Sequence, residues 1–163
     1  MLGSTLADTL IEEARSAGVT LATAESCTGG LLSGAITEVA GASDVFDRGF
    51  VTYSNSAKQD MLGVLPTTLE DVGAVSEEVA RQMALGAIAR SGAGLAVAIT
   101  GVAGPGGSAA KPEGRVCFAV ARRDAYAWAE TQDFGALGRA RVRAAAVTHA
   151  LGLLRGALAR ETV

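Results

Sequence analysis

Histidine occurs once in this sequence, at His149, and it lies among alanine, valine and leucine with no ligand cluster beside it. That argues against a metal site and against a Ser-His-Asp triad, and leaves His149 as a packing residue. Two cysteines, Cys27 and Cys117, make no disulfide framework, and a cytoplasmic protein is expected. Aromatics are 4%, so the core must be built from Ala, Val, Leu and Ile. There is no excess of base: 14 Lys and Arg against 17 Asp and Glu give a net charge of −3, no electrostatic case for nucleic acid. No apolar run is long enough to span a membrane. The opening Met1-Leu2-Gly3-Ser4 lacks the basic start and apolar core of a signal peptide. Repeats, low-complexity tails and linkers are also missing.

What is present suits one compact domain over residues 1–163, with 49% hydrophobic and 19% charged residues. Leu6, Leu10, Ala14 and Ala17 predict an amphipathic first helix that stops at Gly18. Val19–Ala24 predicts a buried strand and Thr28–Val39 a helix. A second strand is expected over Gly49–Tyr53, then a short helix capped by the Ser54-Asn55-Ser56 segment and ended by Gly63. Residues 66–72 read as a helical turn and loop, and Ser76-Glu77-Glu78 opens a long helix to Gly92. Leu95–Thr100 is an apolar strand. Arg115–Ala121 and Tyr126–Phe134 read as a hairpin, and a last helix covers about 137–160. The order implies an α/β fold, a three-layer α/β/α sandwich on a mixed β-sheet.

The stretch from Val19 to Gly34 sets a hydroxyl, a thiol and a second hydroxyl (Ser26, Cys27, Thr28) where a strand runs into a helix. Unpaired N–H groups there suit an anion or an oxyanion, and Gly29 and Gly30 allow close approach. The same residues equally describe a plain helix start, with Ser26 or Thr28 as its N-cap. The glycine-rich run 101–107 is neither a Walker A loop nor a dinucleotide fingerprint, because no Gly-Lys-Ser/Thr closes it and a strand follows. It offers either a nest of N–H groups for phosphate or a mobile turn.

The two lysines, Lys58 and Lys111, both stand beside loop motifs in a chain whose other basic residues are arginine. An amine can act as a base once its pKa falls, whereas guanidinium cannot. Lys58, near a helix start, would have its pKa lowered by the helix dipole and by burial, which suits a Ser-Lys nucleophile–base pair. A solvated surface lysine is the other account of the same residue.

Four ordered motifs carry a family resemblance: A-E-S-C-T-G-G (24–30), R-G-F-V-T-Y-S-N-S-A-K (48–58), G-A-V-S-E (73–77), and T-G-V-A-G-P-G-G (100–107) with K-P-E-G (111–114). Together they resemble the CinA C-terminal domain family over nearly the whole chain. Its stand-alone bacterial members are nicotinamide-nucleotide amidases, and many other members carry a second, N-terminal domain. The resemblance implies an α/β/α sandwich, a homo-oligomer, and a Ser-Lys pair at Ser26 and Lys58. The family's G-D-R-x-x-V-R-like segment reads L-G-R-A-R-V-R here (137–143), so Arg139 and Arg143 remain while Gly138 replaces the acid.

The activity implied is hydrolysis of the carboxamide of nicotinamide mononucleotide through an acyl-enzyme. Ser26 would attack and Lys58 would act as base, with Tyr53 or Thr100 relaying protons or orienting the amine. N–H groups around Cys27, Thr28, Gly29 and Gly30 would receive the oxyanion. The phosphate would sit on Gly101, Ala103, Gly104 and Gly107, or near Lys111. A small-molecule nucleotide is then the partner, with no nucleic acid or membrane, and no metal or organic cofactor is required. A non-catalytic nucleotide-binding module acting with a partner protein would use the same loops.

Overall fold

A computed structural model describes residues 2–108 and 110–160, with side chains from Leu6 onward. The elements run α1 (Leu2–Ala17), β1 (Leu21–Glu25), α2 (Leu31–Thr37), β2 (Phe46–Val51), α3 (Asn55–Leu62), α4 (Pro66–Val72), α5 (Glu77–Ala89), β3 (Leu95–Gly101), β4 (Arg115–Arg122), β5 (Ala127–Asp133) and α6 (Arg139–Ala159). The five strands form one sheet in the order β2-β1-β3-β4-β5. β1 pairs in parallel with both β2 and β3, while β4 and β5 are antiparallel additions. This is the expected mixed sheet between two helical layers.

Period-two alternation divides the sheet into unlike faces. Leu21, Leu95, Val97, Ile99, Phe118 and Val120 face a core shared with α1, α2 and α6. Ala22, Ala24, Ala96, Ala98, Ala119 and Ala121 face the other, shared with α3, α4 and α5. The alanine face lets α5 lie close, and it contributes Val79, Ala80, Met83, Ala84 and Ala87. The shortage of aromatics is thus matched by a thin second layer. No helix among the described residues is long and apolar enough to cross a membrane.

Several expectations are corrected. The second helix begins at Leu31 rather than Thr28, because Gly29 and Gly30 take left-handed conformations that break the helical path. β1 is shifted to Leu21–Glu25 and β2 to Phe46–Val51, each set by its pairing register rather than by β-propensity. Pro66–Val72 is a true helix, with Pro66 in its first turn. The buried stripe of α1 is Ala7, Leu10, Ile11 and Ala14, and Ala17 is exposed.

β1 lies between β2 and β3, so the chain leaves β1 to one side and returns on the other. The C-terminal ends of β1 and β3 therefore flank a switch in strand order, where open α/β sheets form their clefts. Ser26 directly follows β1, its N–H donating to the carbonyl of Ile99 at 2.9 Å, and Thr100 and Gly101 end β3.

Candidate active site

The turn after β1 is held by a residue the sequence did not single out. Glu25 is fully buried, and its carboxylate accepts from Gly30 N at 3.2 Å, Leu32 N at 2.9 Å, Ser33 N at 3.0 Å and Ser33 Oγ at 2.7 Å. It fills the capping role otherwise open to Ser26 or Thr28, and α2 has no side-chain cap from its own N-cap residue, Gly30. Ser26 is thereby left with its hydroxyl toward the cleft.

Opposite it, Ser54 caps α3 by accepting from Ala57 N at 3.0 Å, and Lys58 is the fourth residue of that helix. Lys58 is only 1% exposed, and Nζ lies 3.0 Å from Ser26 Oγ, 3.0 Å from Thr52 O and 3.1 Å from Tyr53 O. No carboxylate neutralises it in this set of contacts. Burial pushes its pKa below the ordinary lysine value, because the charged form loses hydration. The Cys27 thiol moves the other way, raised to about 11 chiefly by burial, so it stays protonated near neutrality.

Ser26, Cys27 and Lys58 open into a cavity of about 360 Å³, within the range of small-molecule sites. Tyr53 and Asn55 line one side, Ala74 and Val75 a second, and the Gly101–Ser108 loop a third. Arg139 stands at the rim, with Nη1 donating to Gly104 O at 2.7 Å and Nη2 to Tyr53 Oη at 3.1 Å.

The expected site residues therefore separate. Ser26, Cys27, Lys58, Tyr53, Thr100, Gly101, Ala103, Gly104 and Gly107 meet around one cavity. Tyr53 touches the lysine through its backbone carbonyl, while its phenol serves Arg139. The Thr100 hydroxyl donates to Ala74 O at 2.8 Å, which fixes the cavity wall. Thr28, Gly29, Gly30 and Lys111 do not line the cavity. The Gly29 N–H donates to Ser26 O at 3.1 Å and the Gly30 N–H to Glu25, so both are already used. Lys111 Nζ donates to Val75 O at 2.7 Å and anchors the wall. The N–H of Gly106, part of the expected nest, is taken by the Glu113 carboxylate at 2.6 Å.

Glu25, Arg139 and Arg143 are polar residues that composition and motif reading left without a role. The acid that Gly138 replaces would stand at the N-cap of α6, a favoured place for aspartate. Here position 138 has φ 92° and ψ 150°, a conformation restricted almost wholly to glycine. His149 bonds Glu130 and packs against the ring of Phe118 at 4.6 Å between centroids, well within the α6 layer.

Residues 3–158 match the profile described as the CinA C-terminal domain. The nicotinamide-nucleotide amidohydrolase PncC of Enterobacter agglomerans is 56% identical over 112 residues, 68% of this chain and 68% of that one. A putative competence-damage inducible protein of Symbiobacterium thermophilum is 52% identical over 147 residues, 85% of this chain but 34% of its own length. This chain thus spans about a third of such longer relatives. Among solved structures, the competence/damage inducible protein CihA from Agrobacterium tumefaciens superposes with a TM-score of 0.93 at 50% identity, over 97% of this chain and 96% of that one. A CinA superfamily protein from Klebsiella pneumoniae gives 0.93 at 35% identity, over 97% and 98%. The chain belongs to the CinA C-terminal domain family.

Proposed function

We propose that this protein is an amidase that hydrolyses nicotinamide mononucleotide to nicotinic acid mononucleotide and ammonia, using Ser26 and Lys58 through an acyl-enzyme. The observation that carries this is the set of three oxygens around Lys58 Nζ. The carbonyls of Thr52 and Tyr53 can only accept, so a neutral amine gives them its two hydrogens. Its one lone pair is then left for Ser26 Oγ, and the serine proton has a base 3.0 Å away.

The steps follow from that arrangement. Lys58 takes the Ser26 proton as Oγ attacks the carboxamide carbon. The N–H of Cys27, a residue of the cavity lining, is taken by no carbonyl or carboxylate among the described residues and receives the developing oxyanion. Protonated Lys58 hands its proton to the amide nitrogen, the C–N bond breaks, and ammonia leaves. A water molecule then gives a proton to Lys58 and attacks the acyl carbon. Collapse of that second intermediate returns the proton to Ser26 Oγ and frees the carboxylic acid. The protonated thiol of Cys27 supports serine rather than cysteine as nucleophile.

For the phosphate, Arg139 is the exposed cation at the cavity rim, whereas Lys111 is committed to Val75 O. Substrate charge at the Arg139 side would lie beside the Gly101–Ser108 loop. The amidase named above, 56% identical over the matched residues, supports the choice of substrate. Ammonia release from nicotinamide mononucleotide by the metal-free protein tests the proposal. Saturable binding without ammonia would replace it with the non-catalytic nucleotide-binding module.

A further inference from the structure

Arg143 reaches from α6 to the turn that carries the nucleophile. Its Nε donates to Cys27 O at 3.1 Å and its Nη2 to Thr28 O at 3.3 Å, from more than a hundred residues away in sequence. The guanidinium is half-buried and pairs with no carboxylate within salt-bridge distance among the described residues, so these carbonyls are its polar partners. It lies directly against the turn: a Cβ at position 29 would meet Nη2 at 3.5 Å, an ordinary contact.

A trans peptide is planar, with its C=O and N–H pointing opposite ways. Holding Cys27 O against Arg143 therefore turns the Thr28 N–H away from α6. On the other side of the same residue, Ser26 O is held by Gly29 N, which sets the Cys27 N–H in the same manner. The Cys27 N–H, which no carbonyl or carboxylate takes among the described residues, is thus set by a turn whose carbonyls at Ser26, Cys27 and Thr28 each have a donor.

We propose that Arg143 is a positioning residue for amide hydrolysis, bracing the Cys27 and Thr28 carbonyls of the turn after Ser26 so that the Cys27 N–H meets the oxyanion. The inference rests on the amidase reading above. It does not run through Lys58, since Arg143 bonds Cys27 O and Thr28 O whereas Lys58 bonds Ser26, Thr52 and Tyr53.

The test compares wild type, Arg143→Met and Arg143→Lys with nicotinamide mononucleotide as substrate, measuring ammonia release across pH together with Tm. Outright removal of an oxyanion donor lowers kcat by about 10²–10³, and a loosened donor should cost somewhat less, roughly 10- to 100-fold. The Met variant should show that fall in kcat with KM within about 3-fold of wild type and an unmoved acid limb. The Lys variant, with one cationic donor, should recover part of the loss. A Met variant with kcat within about 2-fold of wild type overturns the inference, as does a fall confined to KM or an acid limb that moves with it. Should the Met variant not fold, the Lys variant decides by the same criteria. If wild type itself releases no ammonia, the amidase reading fails and this inference falls with it.

Discussion

Glu25 and Ser26 are neighbours whose side chains part at the end of β1. The Glu25 carboxylate turns into the start of α2 and takes three backbone N–H groups, while Ser26 Oγ faces Lys58 on α3 across the sheet. The strand alternation that sends adjacent side chains to opposite faces makes this division of labour possible. The acid satisfies the helix, and the hydroxyl is spared for chemistry.

The carboxylate has four donors around two oxygens, since Ser33 Oγ joins Ser33 N on Oε2. Glutamine at 25 keeps one acceptor oxygen and turns an NH2 toward two of those donors. Leaving buried donors unsatisfied costs about 1–3 kcal/mol each. Glu25→Gln should therefore lower stability by roughly 2–6 kcal/mol. For a chain of this length that is a fall in Tm of about 2–4 °C per kcal/mol. Chemical denaturation of both proteins measures it, and equal stability would mean that Glu25 is not the cap that holds this turn.

Which side chain attacks can be separated at the adjacent pair. Thiolate is the better nucleophile, but a thiol with a pKa of about 11 is ionised to about one part in 10⁴ at pH 7. Ser26→Ala should abolish ammonia release, and Cys27→Ala should retain most of it. The reverse pattern would transfer the attack to Cys27.

Much of this was legible in the chain. Ser54 and Gly63 bracket α3 by local rules, and Lys58 follows at a fixed offset, so the pair with Ser26 was within reach of motif reading. The continuous apolar run of β3 declared a buried strand, and the turn at Arg122-Arg123-Asp124 declared the β4–β5 hairpin. Glu25 was not legible, because a carboxylate that caps a helix five to eight residues onward has no local signature. Arg143 was beyond reach for the same reason, since its partners lie over a hundred residues away. Lys111 lies off the cavity lining and bonds Val75 O, which sequence could not show, because a lysine beside glycines looks the same whether it holds a ligand or a carbonyl.

The pH dependence of Lys58 has a definite sign in two observables. With the neutral form as the proposed base, kcat/KM should rise with pH through the folded pKa, which burial holds below about 10.4. Between those two values the unfolded chain binds more protons than the folded one, so this group makes stability increase with pH. Lys58→Met should remove that slope, whatever constant offset it adds through the freed carbonyls. Lys58→Arg should lose at least about 10²-fold in kcat, because guanidinium stays protonated. Substantial turnover by the arginine variant would sink the general-base role.

Phosphate recognition separates Arg139 from Lys111. Remote binding energy can be used to stabilise a transition state, so the nucleotide should exceed the riboside in kcat/KM. Loss of charge-assisted hydrogen bonds to phosphate is worth roughly 2 kcal/mol or more, about 30-fold. Free nicotinamide, lacking ribose as well, should be poorer still. Arg139 is exposed at the cavity rim, and its contacts to Gly104 O and Tyr53 Oη leave the guanidinium other N–H donors. Arg139→Ala should therefore shrink the nucleotide-to-riboside ratio toward one. Lys111 has a different task, bonding Val75 O at 2.7 Å and so fixing a wall that both substrates meet. Lys111→Ala should depress both substrates alike and leave their ratio unchanged. Measuring kcat/KM for the two compounds on wild type and both variants decides the matter. If Lys111→Ala alone collapses the ratio, the phosphate belongs at the lysine and the rim arginine is a strut between Gly104 and Tyr53.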